Sequence, residues 1–213
     1  GEPALLDWQV RAKGPNLAGV LTRLGVDLPV DGALLSDFNA DLSFDYDAGL
    51  FSAPRVDASI GKTRVSAPMQ AIVSPSGRMT FETLEAARLT DPSLNRWLQG
   101  MALGLPSDPE VFGATRVQTS VSGSVAPDGV LTLRASDTTA SIGSQSLTFD
   151  RMLVTAGEGF FAGATMEGLS ANVPSLRRVL ATFDAVPTGL AEGVLGPMSV
   201  SGDLRFSDSD VAV

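Results

Sequence analysis

The chain has 213 residues, 44% of them hydrophobic and only 18% charged, with 22 glycines, 13 prolines and a net charge of −9. That hydrophobic share is enough to fold, and the turn formers point to a turn-rich architecture, not a disordered linker. The acidic balance and the lack of a basic cluster argue against nucleic acid as a partner. His and Cys are both absent, which removes the commonest general base, disulfides and thiolate metal sites.

In chain order, a strand begins near Leu5 and is expected to stop at Gly14-Pro15. Asn16 can cap a short helix with Leu17, Val20, Leu21 and Leu24 on one face and Gly25 at its end. Phe38, Ala40, Leu42, Phe44 and Tyr46 then alternate with Asn39, Asp41, Ser43, Asp45 and Asp47. A period of two is a strand with one apolar and one wet face. Asp47-Ala48-Gly49 turns the chain, and further strands are predicted near 50–60, 63–73 and 78–84. A second helix is predicted from Pro92, and a second alternating strand carries Val117, Val121 and Val125 against Gln118, Ser120, Ser122 and Ser124. After Pro127-Asp128-Gly129, strands are predicted near 130–136, 139–143, 146–155 and 160–167. A third helix from Pro174 leads to Met198, Val200, Leu204 and Phe206, alternating with Ser199, Ser201, Asp203 and Arg205.

The helix starts share one phrase, Pro-(Asn/Ser)-Leu-x-x-(Val/Trp)-Leu, beginning at residues 15, 92 and 174. Leu28-Pro29, Leu105-Pro106 and Val186-Pro187 follow the three phrases at nearly one distance. Ala58-Ser59-Ile60-Gly61 returns as Ala140-Ser141-Ile142-Gly143, and the turn glycines Gly49 and Gly129 keep a similar interval. Recurrence at a fixed period is the signature of stacked units that bury their faces against one another. The predicted fold is mainly β (α+β): repeated units of one short helix plus an antiparallel meander, forming an elongated curved sheet or groove. Residues 1–213 make one elongated repeat domain with units at about 5–84, 85–167 and an incomplete 168–213.

Motifs for chemistry are scarce. There is no Gly-x-Ser-x-Gly elbow, no phosphate-cradling loop and no dinucleotide fingerprint. Asp41, Asp45 and Asp47 share a strand parity, and Asp208 and Asp210 lie close together. Such rows can hold calcium or an acid/base pair. The matching strand of the second unit carries Gln and Ser, so a solvated face is the expected role. Trp97 stands where Val20 and Val179 stand in the other helices and reads as core, while Arg177-Arg178 reads as a solvated helix face. No catalytic residue, cofactor or metal site is expected.

The apolar parity must be covered. Phe38, Leu42, Phe44, Val117, Val121, Val125, Val200, Leu204 and Phe206 carry it. Helices of about ten residues span only about 15 Å, too little to cover a meander of four or five strands. Either the sheet folds on itself into a filled core, or it stays bent and leaves a long apolar groove.

The succession Gly14-Pro15-Asn16-Leu17-Ala18-Gly19-Val20-Leu21 to Leu28-Pro29, the strand from Phe38 to Asp47 with its Gly49 turn, and Val56-Asp57-Ala58-Ser59-Ile60-Gly61 before Arg64-Val65-Ser66 resemble the AsmA-like family of bacterial envelope proteins. Ala67 departs from the pattern, where a Gly is expected. The resemblance covers nearly the whole chain through short, degenerate motifs. It implies a periplasmic β-rich body in a parent protein held by one N-terminal helix in the inner membrane, with roles in outer-membrane assembly and lipid homeostasis. It implies an apolar groove for phospholipid acyl chains, with the nine residues above facing lipid, envelope proteins as further partners, and no enzymatic activity. No run of about 18 apolar residues occurs. The chain, opening on Gly1, is read as a piece of a longer protein whose anchor lies outside it. The competing readings are a structural or adhesive repeat protein with a filled core and a carboxylate-based glycosidase.

Overall fold

Alternating sequence becomes alternating faces when strands pair in register, and that rule organises this molecule. The computed structural model describes residues 6–23, 31–47, 49–100, 108, 111–156, 163–191, 193–207 and 211–212, with backbone alone at 6, 206, 207, 211 and 212. Elements run β1 (Leu6–Asn16), α1 (Leu17–Arg23), a 3-10 turn (Gly32–Leu35), β2 (Ser36–Asp47), β3 (Leu50–Ile60), β4 (Thr63–Ser66), β5 (Met69–Val73), β6 (Met79–Thr83), β7 (Ala87–Asp91) and α2 (Leu94–Gly100). They continue with β8 (Thr115–Val125), β9 (Leu131–Ile142), β10 (Gln145–Ala156), β11 (Gly163–Val173), α3 (Leu176–Thr182), β12 (Met198–Ser207) and the two-residue β13 (Val211–Ala212).

The thirteen strands make one sheet in the order β1-β2-β3-β4-β7-β8-β9-β10-β11-β12-β13, with β5 on β3 and β6, and β6 on β8. Every pairing is antiparallel. β4 and β5 are two halves of one interrupted strand, because both pair with β3. β6 and β7 stand in the same relation to β8. The sheet is curved. Among the described residues, the strand path runs from β1 to β13 without a pairing that would close it into a barrel.

Register carries the apolar parity across the whole sheet. One row reads Val65, Leu89, Val117, Ala140, Leu147, Ala171 and Val200. The neighbouring row of opposite parity reads Arg64, Thr90, Arg116, Ser141, Ser146, Asn172 and Ser199. One face is therefore apolar from strand to strand and the other polar.

Bulges keep the two faces separate. Ser43 pairs with Arg55 and Asp45 with Ser52, so Ala53 and Pro54 together oppose Phe44. The extra residue lets Phe51 and Val56 lie on the same side although their numbers differ in parity. Pro54 has no N–H to donate, which a bulge tolerates. Asp137 and Thr138 oppose Thr119 in the same manner, with Asp137 at φ 51. Glu167 and Gly168 oppose Asp203, with Gly168 at φ 65. A Cβ at Gly168 would collide with the Asp150 carboxylate, so this bulge requires glycine.

Several expectations are corrected by these bulges. The strands predicted at 130–136 and 139–143 are one strand, β9, bent at Asp137. The strand predicted to end at 167 continues through its bulge to Val173, and the unit boundary set at 167/168 falls inside it. β1 does not stop at Gly14-Pro15, since Gly14 pairs with Phe38 and Asn16 with Ser36. β7 was not foreseen. The third helix is seven residues long, shorter than expected. Leu24, Gly25, Leu28-Pro29, Leu105-Pro106, Asp208 and Asp210 lie outside the described residues.

Among the described residues, buried apolar side chains are few: Leu34, Leu35, Ala53, Val111, Phe149 and Leu169. The accessible surface is 13485 Å², against about 9,300 Å² expected of a compact protein of this mass. A filled sandwich would hide far more of its side chains.

Two glycines in matching mid-strand positions test the packing along the sheet. A Cβ on Gly123 would stand 2.5 Å from the Thr132 carbonyl oxygen and 2.6 Å from the Phe81 ring, while one on Gly202 would meet nothing within 4 Å. Gly123→Val is expected to destabilise the fold by about 1–3 kcal/mol in urea unfolding, and Gly202→Val to leave it unchanged or slightly more stable. Equal effects of the two substitutions would contradict this packing.

Candidate functional site

The apolar face holds the residues expected to carry function. Leu42 lies between Val10 and Val56, and Phe44 opposite Trp8. The Phe44 and Phe51 rings pack 5.1 Å apart. Val117 lies between Leu89 and Ala140, and Val121 opposite Ala135. Val125 lies between Met79 and Leu131, and Leu204 opposite Met166. Phe38, Leu42, Phe44, Val117, Val121, Val125 and Leu204 are half-buried, and Val200 is 40% exposed. The side chain of Phe206 lies outside the described residues. The face is neither a sealed core nor a flat surface. It is a half-buried apolar wall.

The parities differ in wetness where the expectation is clearest. Burial alternates over residues 36–40 and 115–119, with Asn39, Arg116 and Gln118 exposed beside half-buried Phe38 and Val117. Further along β2 and β8 both parities become half-buried, as in Ser43, Asp45, Ser120 and Ser122, so the contrast fades there.

The sequence reading missed half of the face. Phe51, Val56, Phe149, Met152, Met166 and Leu169 belong to it by register, but they sit on strands whose parity a bulge resets. The available signal was a phase change in the alternation at Asp137, Asp150 and Gly168.

One end of the face is closed by a polar knot. Asp91 is 4% exposed and accepts hydrogen bonds from the Thr63 hydroxyl, from the Ser93 backbone N–H at 2.6 Å, from Trp97 Nε1 at 2.9 Å and from the Arg96 guanidinium at 3.0 Å. Trp97 Nε1 also lies 2.9 Å from the Thr63 hydroxyl. Burial pushes the Asp91 carboxyl up, but the four donors outweigh it and hold the group below its ordinary value. Trp97 is thus not plain core. Its ring nitrogen ties α2 to β4 and β7. The knot fixes a buried carboxylate among donors, which suits holding a helix in place.

Asp41 is half-buried and faces Arg11 at 3.4 Å and Arg55 at 4.0 Å. Among the described residues no group of three acids is placed to hold a metal. Arg177 donates to the Ala191 carbonyl at 3.2 Å, so it is engaged in its own loop. No helix among the described residues is long and apolar enough to cross a membrane.

No family model, curated protein or solved structure matches this chain.

The knot makes a pH-dependent prediction. Asp91→Asn removes the charge while keeping the shape, and hydrogen bonds to a charged group are worth about 1.5–3 kcal/mol. The variant is expected to unfold at correspondingly lower urea concentration at pH 7. Because the folded carboxyl sits below its unfolded value, the contribution is complete above about pH 4 and is lost as pH falls through the folded value. The gap between wild type and variant should therefore close in acid. A gap independent of pH would mean that the carboxylate charge carries nothing.

Proposed function

We propose that this chain is a segment of an AsmA-like envelope protein, built from repeated units, whose open apolar face shields phospholipid acyl chains moving between membranes. The carrying observation is the one-sided sheet: a continuous apolar face, six buried apolar side chains and no second layer among the described elements. Apolar area removed from water yields about 25 cal/mol per Å². The half-buried wall gains that energy only if something apolar lies on it. An acyl chain fits because it is as featureless as the wall. The location that goes with this reading is the periplasm, in a parent anchored in the inner membrane. It is a carrying role without catalysis.

The repeat reading has local support. Each of the three Pro-(Asn/Ser)-Leu phrases opens a helix at its Leu: Leu17, Leu94 and Leu176. The second and third helices receive the same pair of backbone bonds at their start. Leu94 and Asn95 N–H donate to Gly113 and Phe112, and Leu176 and Arg177 N–H donate to Gly196 and Leu195. The turn glycines Gly61 and Gly143 have φ 56 and 58, and their N–H groups donate to Asp37 and Ala114 just before the alternating strands. Each helix is followed by an alternating strand, and the first two by a four-strand meander when β4/β5 and β6/β7 are counted as interrupted strands.

A structural or adhesive repeat protein is the second reading. It is favoured only by the half-buried class of most face residues, which a tighter closure of the sheet would complete.

Charge placed on the face separates the two. Leu42→Glu and Val121→Glu are expected to give soluble, folded protein that no longer co-purifies with phospholipid by native mass spectrometry. In a filled core each would bury an unpaired carboxylate at several kcal/mol, against a total stability of about 5–15 kcal/mol. Insoluble protein from both, or a wild type that never carries lipid, would leave the structural reading standing.

A further inference from the structure

Three arginines stand together on the polar face, and we propose that they form a binding site for a phosphate monoester. Arg64 of β4 and Arg116 of β8 flank Thr90 of β7 in one register row. Arg88 lies two residues from Thr90 on the same strand, hence on the same face, paired with Ser66 and Gln118. With strands about 4.8 Å apart and about 3.4 Å per residue, the Arg64 and Arg116 backbones are about 10 Å apart and Arg88 about 8 Å from each. Side chains of that length can reach a common point above the Thr90 hydroxyl.

All three arginines are exposed. Among the described residues none of them makes an ion pair or a side-chain hydrogen bond, whereas Arg11, Arg55, Arg96 and Arg151 each face a carboxylate. Three adjacent unpaired cations are unexpected in a chain with 24 acidic against 15 basic residues. The surface is also hollowed there. A depression of about 440 Å³ is lined by Arg64, Arg88 and Thr90, with Asp41 and Asp57 also in its lining, and one of about 360 Å³ by Arg88, Thr90 and Arg116. A third, of about 500 Å³, brings Lys62 to Arg64, Thr90 and Arg116. Asp57 is the acid closest in register, pairing with Ser66 in the Arg88 row, and it bonds none of the three.

The chemistry selects the ligand. A guanidinium presents a planar fork of donors that matches a tetrahedral oxyanion. Three forks and a hydroxyl around one point favour a compact dianion over a monoanionic diester. The site lies on the face opposite the apolar wall, so it does not depend on what that wall carries. The monoester can belong to a soluble metabolite or to a lipid headgroup, and the chemistry of recognition is the same.

The test uses isotope-labelled whole protein near physiological salt, where charge attraction is screened beyond about 8 Å. Inorganic phosphate and glycerol phosphate are expected to give saturable amide shifts centred on Thr90 and Gln118, with dimethyl phosphate much weaker. The combined variant Arg64→Gln, Arg88→Gln, Arg116→Gln should bind about tenfold or more weakly, since charge-assisted bidentate contacts dominate such sites. Sedimentation with vesicles containing phosphatidate, absent with pure phosphatidylcholine and lost in the variant, would assign the phosphate to a headgroup. Glycerol phosphate binding without vesicle binding would assign it to a soluble ligand. The absence of saturable shifts at Thr90 in the wild type, with no variant-sensitive vesicle binding, overturns the proposal whether or not the variant folds. So does equal binding by a folded variant.

Discussion

The backbone ladder is what the rest of the structure depends on. With only six buried apolar side chains among the described residues, cohesion rests on antiparallel pairing that continues from β1 to β13. In most domains a second layer squeezes water from the sheet and side-chain packing supplies most of the stability. Here each strand leans on two neighbours, and side-chain burial comes from cross-strand pairs such as Leu89–Val117 and Met152–Met166. A sheet of this kind tolerates lengthening along its strand order but not slippage. A one-residue shift would turn the apolar wall toward water and the arginine face inward.

That constraint explains the bulges. Strands in a curved sheet do not stay in step over eleven or twelve residues, and an extra residue on one side relieves the mismatch. At Ala53-Pro54 the relief uses a proline. At Asp137 it uses a non-glycine residue with positive φ, and at Gly168 a glycine that the Asp150 carboxylate leaves no room to replace. The last two sit in one line, since Asp137 and Asp150 flank the same break in parity and Gly168 packs against Asp150. β9, β10 and β11 therefore change phase together, and the apolar face continues unbroken through them.

Legibility from sequence follows the same logic. β2, β8 and β12 keep one parity from end to end, and their alternation was readable residue by residue. β9 and β11 change parity at their bulges, so a period-two template reads each bulge as a strand end. That is why β9 was split and β11 cut short. The helix starts were readable from Pro-(Asn/Ser)-Leu because a cap needs few residues: the Asn16 side chain accepts from Gly19 N–H, and Ser175 from Arg178 N–H. The Asp91 knot was not readable. It joins Thr63 to Arg96 and Trp97 across 28 to 34 positions, and no local pattern predicts such a meeting. The arginine triangle was hidden for the same reason, since Arg64, Arg88 and Arg116 become neighbours only through β4–β7–β8 pairing.

The three helices begin alike but are held differently, and the difference bears on how the apolar face ends. The residue before the phrase is Gly14, Asp91 or Val173. Only the central helix has a carboxylate there, and only there do a Trp and an Arg one turn on reach back to it. Thr63, Asp91 and Thr115, in one register row, are all buried beneath it. Near the first helix the same row holds Gly14 and Phe38, and near the third Val173 and Met198. The apolar wall thus runs to its rim at both ends of the sheet but is interrupted by a polar, hydrogen-bonded block in the middle. An apolar guest lying along the wall would meet no charge until that block. There a buried carboxylate that already accepts four hydrogen bonds offers it nothing, and the favourable path lies further down the strands, past Val65, Leu89 and Val117.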